Sequence, residues 1–218
     1  MEVYLEAGAK RTFAVAVDWP GWARGGRDED AAIAALVDYR ERYAAALGAT
    51  GKGLPKRLSV GDVRVVERLK GGAGTDFGVP SGVTRHDQGT ASATELERLI
   101  ELHRACWQAF ERAAESAAGK TLAPAGPRGG GRPPAKISAH VAESEQAYIG
   151  AIGIRFRGAA TPDELRAAFV AALRERNAGH LPDVGPRGGR RWTVREAVRR
   201  SCWHLLDHAW EIEDRLAG

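Results

Sequence analysis

The 218-residue sequence contains little cysteine, only Cys106 and Cys202, and no CxxC pair. A chain without spaced cysteines has no disulfide framework, which favours a reducing compartment. It also lacks a secretion-like apolar segment and any apolar run long enough to span a bilayer, so we predict a cytoplasmic protein without membrane contact. No block of five or more basic residues occurs and the net charge is only +4, so we expect no specific nucleic-acid partner.

Apolar residues make up 44% of the chain and charged residues 28%, so a sizeable core can form in one large domain or two small ones. The pattern changes near residue 90, from alternating to helical periodicity. We therefore predict an α+β fold. A small N-terminal α/β hairpin-plus-helix unit would cover residues 1–90, and helices would fill residues 91–218.

Alternating apolar residues in "MEVYLEAG" and "RTFAVAV" predict a β-hairpin whose turn is "AGAK" at residues 7–10. Near-helical spacing then predicts one helix that begins with the acidic residues 28–30 and ends at Gly48. The stretch "SVGDVRVVERL" indicates a third strand, and "GGAGTDFGVPSG" at residues 71–82 indicates a loop.

A helix start signal occurs three times, as "TELE" (94–97), "TPDE" (161–164) and "TVRE" (193–196). Thr three residues before Glu lets side chains and backbone satisfy one another's hydrogen bonds at a helix N-terminus. Together with periodicity, this predicts four helices, at residues 93–118, 135–150, 162–177 and 194–216. Two connections share "GPRGG", at 126–130 and 185–189, which fits either flexible connectors or anion-binding loops.

The last predicted helix contains "SCWHLLDHAWEIEDR", with His204 and His208 four residues apart. Residues at this spacing share a helix face, so both imidazoles can bind one ion. Two histidines flanking a core stripe would give the same pattern. Glu211, on the same face, is a candidate ligand or a partner that orients a ligand, and Asp207 is the alternative orienting carboxylate.

Two imidazoles hold an ion poorly, so a third ligand is needed from elsewhere. The remaining histidines are His86, His103, His140 and His180. We favour His140 over His103 because Glu143 follows it at i+3 and can orient its ring. Glu211, Asp207 and Glu143 are then the candidate catalytic residues, for proton transfer or ligand orientation.

Two segments, "AHVAESEQAYIGAIG" and "SCWHLLDHAWEIEDR", resemble the second and fourth helices of the DinB/YfiT-like superfamily. The resemblance covers about residues 92–216 and implies a four-helix bundle with His140, His204 and His208 as metal ligands. It also implies a divalent metal ion, zinc or alternatively nickel or manganese. The implied activity is transfer of a low-molecular-weight thiol (mycothiol- or bacillithiol-like) to a small-molecule substrate, or hydrolysis. The acidic "EIEDR" tail departs from the family pattern.

The first fifty residues, through "YLEAGAKRTFAVAVDWPGWARGG", resemble HicB-like antitoxin domains. That resemblance implies a partner-binding module, and the alternative function is therefore a non-catalytic interaction protein with a structural or vestigial metal site. Asp18 and the "WPGW" after it are expected to be turn and packing residues. A homodimer is one oligomeric state we consider.

Overall fold

The computed structural model describes residues 1–125, 131–156, 158 and 160–217. Within them the chain has the predicted α+β architecture. The strands are β1 (Glu2–Ala7), β2 (Thr12–Ala16), β3 (Ala23–Gly26) and β4 (Arg64–Lys70). The helices are α1 (Glu29–Asp38), α2 (Arg40–Leu47), α3 (Ala73–Phe77), α4 (Ala93–Ser116), α5 (Pro134–Ile152), α6 (Pro162–Asn177) and α7 (Val194–Ala217).

The four strands form one sheet in the order β3-β2-β1-β4. The predicted hairpin is confirmed: β1 pairs antiparallel with β2, and the N–H of Gly8 donates to the carbonyl of Arg11 at 2.8 Å across the turn. The predicted third strand is β4, which pairs parallel with β1. Strand β3 is a short edge strand that the sequence did not predict, because "ARGG" has no alternating pattern.

Two N-terminal predictions were wrong in detail. The single helix over residues 28–47 is divided at Tyr39 into α1 and α2, although it ends at Gly48 as expected. The loop at 71–82 contains the short helix α3. Thr75 stabilises this turn, because its hydroxyl accepts from the N–H of Gly72 and donates to the buried carboxylate of Glu6 at 2.6 Å.

The helix starts agree with the capping signals to different degrees. Thr161 and Glu164 form the full reciprocal box, with Pro162 at the first helical position. Helix α4 instead begins after Ser92, whose hydroxyl accepts from the N–H of Glu95, so the "TELE" box was placed two residues late. At α7, Thr193 accepts from the N–H of Glu196, whose carboxylate pairs with Arg190.

Helix α7 packs along α4 and also contacts α5, while α5 and α6 pack on each other. One continuous apolar core joins the sheet, α1 and α2 to these helices.

The turn before β3 lies where the sheet meets α7. Gly21, with φ +93°, lies against Cys202, where a Cβ would approach to 3.0 Å. Trp22 donates to the carbonyl of Leu36 at 2.8 Å and stacks on Tyr43, so the "WPGW" residues are turn and packing residues as predicted. The division of the chain into two domains at residue 90 stays a prediction.

The second "GPRGG" forms a tight turn, in which Gly188 donates to the carbonyl of Gly185 at 2.9 Å. The first, at 126–130, lies outside the described residues. Among the helices that the structure describes, none is both long and apolar enough to cross a membrane.

Candidate metal centre

Helices α5 and α7 bring together the three histidines that were predicted as ligands. The ligand atoms of His140, His204 and His208 all lie within 4.8 Å of one another. His204 and His208 lie one turn apart on the same face of α7, and His140 faces both across the helix contact, with ring centroids 5.0 and 5.1 Å away. We refer to these residues as the three-histidine cluster.

The spacing of the nitrogens fits a small divalent ion. The Nε2 atoms of His140 and His204 lie 3.2 Å apart. In a tetrahedral zinc site with bonds of about 2.0–2.1 Å, two nitrogen ligands are separated by about 3.3–3.4 Å. The Nδ1 of His204 is buried and has no hydrogen-bond partner among the described residues. This ring therefore retains a nitrogen that the described chain leaves unsatisfied.

His208 is oriented by its neighbours on α7. Its Nδ1 lies 2.8 Å from a carboxylate oxygen of Glu211, and the other oxygen accepts from Arg215 at 2.9 Å. Because a carboxylate only accepts, Nδ1 carries the hydrogen and the lone pair of Nε2 stays available for a metal ion. The hydrogen bond from His208 is the main reason that the pKa of Glu211 is lowered, which keeps the carboxylate ionised.

Burial favours the neutral form of two of the three imidazoles, those of His204 and His140. Burial, followed by the neighbouring His208 and His140, lowers the pKa of His204 from 6.5 to about 2. Burial also lowers the pKa of His140, although less, and that ring remains partly exposed. The cluster therefore has a buried side and a side open to solvent, through which a small molecule can approach.

The other two predicted carboxylates lie apart from the rings. Asp207 points towards the sheet, where its carboxylate is 3.8 Å from Arg24 of β3, and it is 47% exposed. Glu143 is exposed on α5 and influences His140 through its charge, with no hydrogen bond to that ring among the described contacts. Of the three carboxylates, Glu211 alone touches a histidine of the cluster within the described residues.

The remaining histidines do not join the cluster. His103 is buried on a different helix, α4, and bonds to Ser201 of α7 at 2.8 Å. His180 is exposed and pairs with Glu175, and His86 borders a small cavity of about 40 Å³ between the sheet and α4. The rest of the acidic tail has a structural role, since Glu213 and Asp214 both pair with Arg42 of α2.

Two residues beside the cluster were missed from the sequence. The ring of Tyr148 lies 5.8 Å from that of His204, and Arg200 precedes His204 by one turn on the same face of α7. The signal was available, because Arg200, His204 and His208 repeat at a spacing of four and Tyr148 follows His140 by eight.

Comparison with known protein families, with curated proteins and with solved structures gives no match to this chain.

Proposed function

We propose that this protein is a divalent-metal-dependent enzyme of the DinB/YfiT-like type, in which α4–α7 form the four-helix bundle and His140, His204 and His208 hold the ion. The observation that carries the proposal is the convergence of three imidazoles from two helices, with ligand atoms that all lie within 4.8 Å of one another. Imidazole nitrogen is a preferred ligand of zinc and also suits nickel, and manganese is the weaker-binding alternative.

Three protein ligands leave at least one coordination position for a reactant, as catalytic zinc sites do. When bound, the ion would act as a Lewis acid and lower the pKa of a coordinated thiol or water. The chain's own contribution is orientation: Glu211 fixes the tautomer of His208, and Arg215 holds Glu211. The burial of His204 also keeps bulk water from one side of the cluster.

The reaction that we propose is transfer of a low-molecular-weight thiol, such as mycothiol or bacillithiol, to an electrophilic carbon of a small molecule. Hydrolysis is the neighbouring alternative. The thiol would lose its proton to a base or to solvent as its sulfur forms a bond to the carbon, and the carbon would release its leaving group with the bonding electrons, as chloride from chlorodinitrobenzene. The partly exposed edge at His140 gives both molecules a route to the site.

The test is thiol conjugation by zinc-loaded protein with chlorodinitrobenzene as the electrophile. We expect product formation above the uncatalysed rate, loss of that activity on chelation, and recovery when zinc is returned. The variant His204→Ala/His208→Ala should be inactive, whereas His180→Ala, which changes an exposed histidine, should retain full activity. Equal rates in the double variant and the wild type would refute the proposal.

One observation favours the alternative, a HicB-like partner-binding module without catalysis. Phe77 of α3 is 86% exposed and borders a groove that residues of the β1–β2 turn and of β3 also line, where a partner would cover its ring. The conjugation assay separates the two functions, because an interaction module would give no metal-dependent turnover.

A further inference from the structure

Arg200 occupies an unusual position beside the three-histidine cluster. It lies on α7 one turn before His204, and its charge contributes to the lowered pKa of that histidine. Its guanidinium is stacked over the ring of Trp203, 5.1 Å from the ring centroid. The positive charge is therefore close to the metal ligands and on their side of the helix.

The guanidinium is buried but has no carboxylate partner. Arg200 is 8% exposed, and no Asp or Glu oxygen of the described residues lies within 4.0 Å of it. Residues 126–130, 157, 159 and 218 include no Asp or Glu. Its hydrogen bond within the described chain runs from Nη1 to the carbonyl of Pro80 at 2.5 Å. The guanidinium also shares a hydrogen bond with the hydroxyl of Tyr148, so its described partners are a backbone carbonyl and a hydroxyl and include no carboxylate.

The adjacent Arg199 shows what a compensated arginine looks like in the same helix. It is 6% exposed, and its Nε and Nη2 bond to both carboxylate oxygens of Asp87, at 3.2 and 2.7 Å. Burying a charge is unfavourable unless a partner offsets the loss of hydration. Burial accordingly lowers the pKa of Arg200. Asp87 therefore pairs directly with Arg199, whereas Glu6 acts on Arg200 only through its charge and forms no ion pair with it in the described residues.

Tyr148 extends this subsite towards the metal ligands. Its hydroxyl lies next to the Arg200 guanidinium, which opposes the burial that raises the pKa of Tyr148. Its ring lies between Trp192, at 5.1 Å, and His204, at 5.8 Å. A planar guanidinium fork beside a hydroxyl donor matches the geometry of a carboxylate.

We propose that Arg200 and Tyr148 form a carboxylate-binding subsite of the three-histidine cluster, so that the small molecule bound there is a carboxylic acid with its reacting group at the metal ligands. This inference rests on the proposed function for the role of the metal, but the subsite itself is a property of the chain. The bound carboxylate provides the direct ion pair that no described Asp or Glu makes with Arg200. It also positions the molecule through two anchors, one at Arg200 and one at the cluster.

A purely structural role for Arg200 is the competing explanation, because its bond to Pro80 ties the loop before α4 to α7. Two conservative variants separate these roles. Arg200→Lys keeps the charge but removes the fork, and Tyr148→Phe removes only the hydroxyl without touching Pro80. Arg104→Gln, which removes an exposed arginine of α4, is the control for a change in net charge.

The experiment compares two thiols of the same length, mercaptopropionate and the neutral mercaptopropanol, added to cobalt(II)-substituted protein and followed by visible absorption. We expect the wild type and Arg104→Gln to bind the acid roughly tenfold or more tightly, the typical gain from a charge-assisted bidentate contact. Arg200→Gln should lose this preference while its affinity for mercaptopropanol is unchanged. Arg200→Lys and Tyr148→Phe should each lose part of it.

The melting temperature of the metal-free protein with each thiol gives a second readout that does not depend on the metal. If the protein takes up no cobalt, the proposed function fails. The subsite is then supported if mercaptopropionate raises the melting temperature of the metal-free wild type but not that of Arg200→Gln. The subsite is overturned if the acid has no advantage in the wild type, or if the advantage persists in Arg200→Gln. If circular dichroism shows that Arg200→Gln does not fold, Tyr148→Phe is the deciding variant. The proposal is overturned if Tyr148→Phe prefers mercaptopropionate over mercaptopropanol as strongly as the wild type does.

Discussion

Two groups of polar side chains lie about one turn apart along α5 and α7, and they differ in solvent exposure and in the partners of their imidazoles. The three-histidine cluster joins α5 and α7. The second group, which we call the buried cluster, consists of His103 of α4, Glu145 of α5 and Ser201 of α7. Ser201 precedes His204 by three residues, and Glu145 follows His140 by five.

The buried cluster is closed to solvent, although one oxygen of Glu145 has no hydrogen-bond partner among the described residues. Its three residues are at most 1% exposed. The hydroxyl of Ser201 donates to one oxygen of Glu145 at 2.7 Å and therefore accepts from Nε2 of His103 at 2.8 Å. The imidazole also stacks on Phe169, with ring centroids 4.2 Å apart. The nitrogen that would bind a metal is thus already used as a donor.

The three-histidine cluster, by contrast, reaches solvent. Two Nε2 atoms face each other, one buried nitrogen has no described partner, and His140 is partly exposed. A histidine on a helix face thus becomes a candidate ligand or a core residue according to its neighbours. The hydrogen-bond partner available to each imidazole, rather than the residue type, decides whether the histidine is a candidate ligand or a core residue.

The largest expected difference between the clusters is in metal content. Purified wild-type protein should bind about one zinc ion per chain, and His204→Ala or His208→Ala should retain less than roughly a tenth of it, because two imidazoles hold an ion poorly. His103→Ala should bind as much as the wild type. Elemental analysis after dialysis measures this, and equal loss in His103→Ala would remove the distinction.

The second difference is in stability without metal. His103→Ala removes the stacking on Phe169 and leaves Ser201 and Glu145 short of a partner, so we expect it to lower the free energy of unfolding by about 3 kcal/mol. His140→Ala, at a partly exposed site, should cost less than about 1 kcal/mol. Urea denaturation of the metal-free proteins gives both values. If His140→Ala lowered the free energy of unfolding more than His103→Ala does, the assignment of His103 as the structural histidine would be wrong.

The third expectation concerns the residue that orients His208. Glu211→Gln weakens the acceptor for Nδ1, so we expect zinc affinity to fall by about 10- to 100-fold while stoichiometry is retained. Glu213→Gln is the matched control in the same acidic tail, since Glu213 pairs with Arg42 instead. Competition with a chromophoric chelator measures the affinities, and similar values for both variants would contradict the role of Glu211.

The smallest effect is on acid stability of the metal-free protein. The pKa of His204 is about 2 in the folded chain, against 6.5 for an ordinary histidine. Below pH 6.5 the unfolded chain takes up a proton here that the folded chain does not, so folding is weakened by up to about 1.4 kcal/mol per pH unit. His204→Gln should reduce this slope in denaturation measured from pH 6.5 to about pH 4.5. The exposed-site variant His180→Gln should not, and an unchanged slope in His204→Gln would show that His204 is accessible to protons.

Much of the local structure was predictable because its causes are local. The bounds of α4–α7 follow from apolar periodicity and capping side chains, and the hairpin follows from alternation on either side of a turn. The pair His204 and His208 shares a face simply because four residues make about one helical turn. The orienting bond from His208 to Glu211 has the same origin.

Other features depend on residues that are distant in sequence. Strand β3 forms because β2 offers an edge, and the break at Tyr39 separates two helices that the apolar pattern presents as one. The same holds for His103, whose periodicity resembles that of His140. Only the packing of α4, α6 and α7 supplies Ser201 and Phe169 as its neighbours.

The sequence alone determined where α4–α7 run and which histidines share a face of α7, since both are set by hydrogen bonding and geometry within a few residues. The tertiary structure alone brought His140 to the cluster, closed off His103, and paired Arg199 with Asp87 while Arg200 forms no ion pair within the described residues. The physical reason is that burial and charge compensation depend on side chains that arrive from other helices, and no local pattern specifies them.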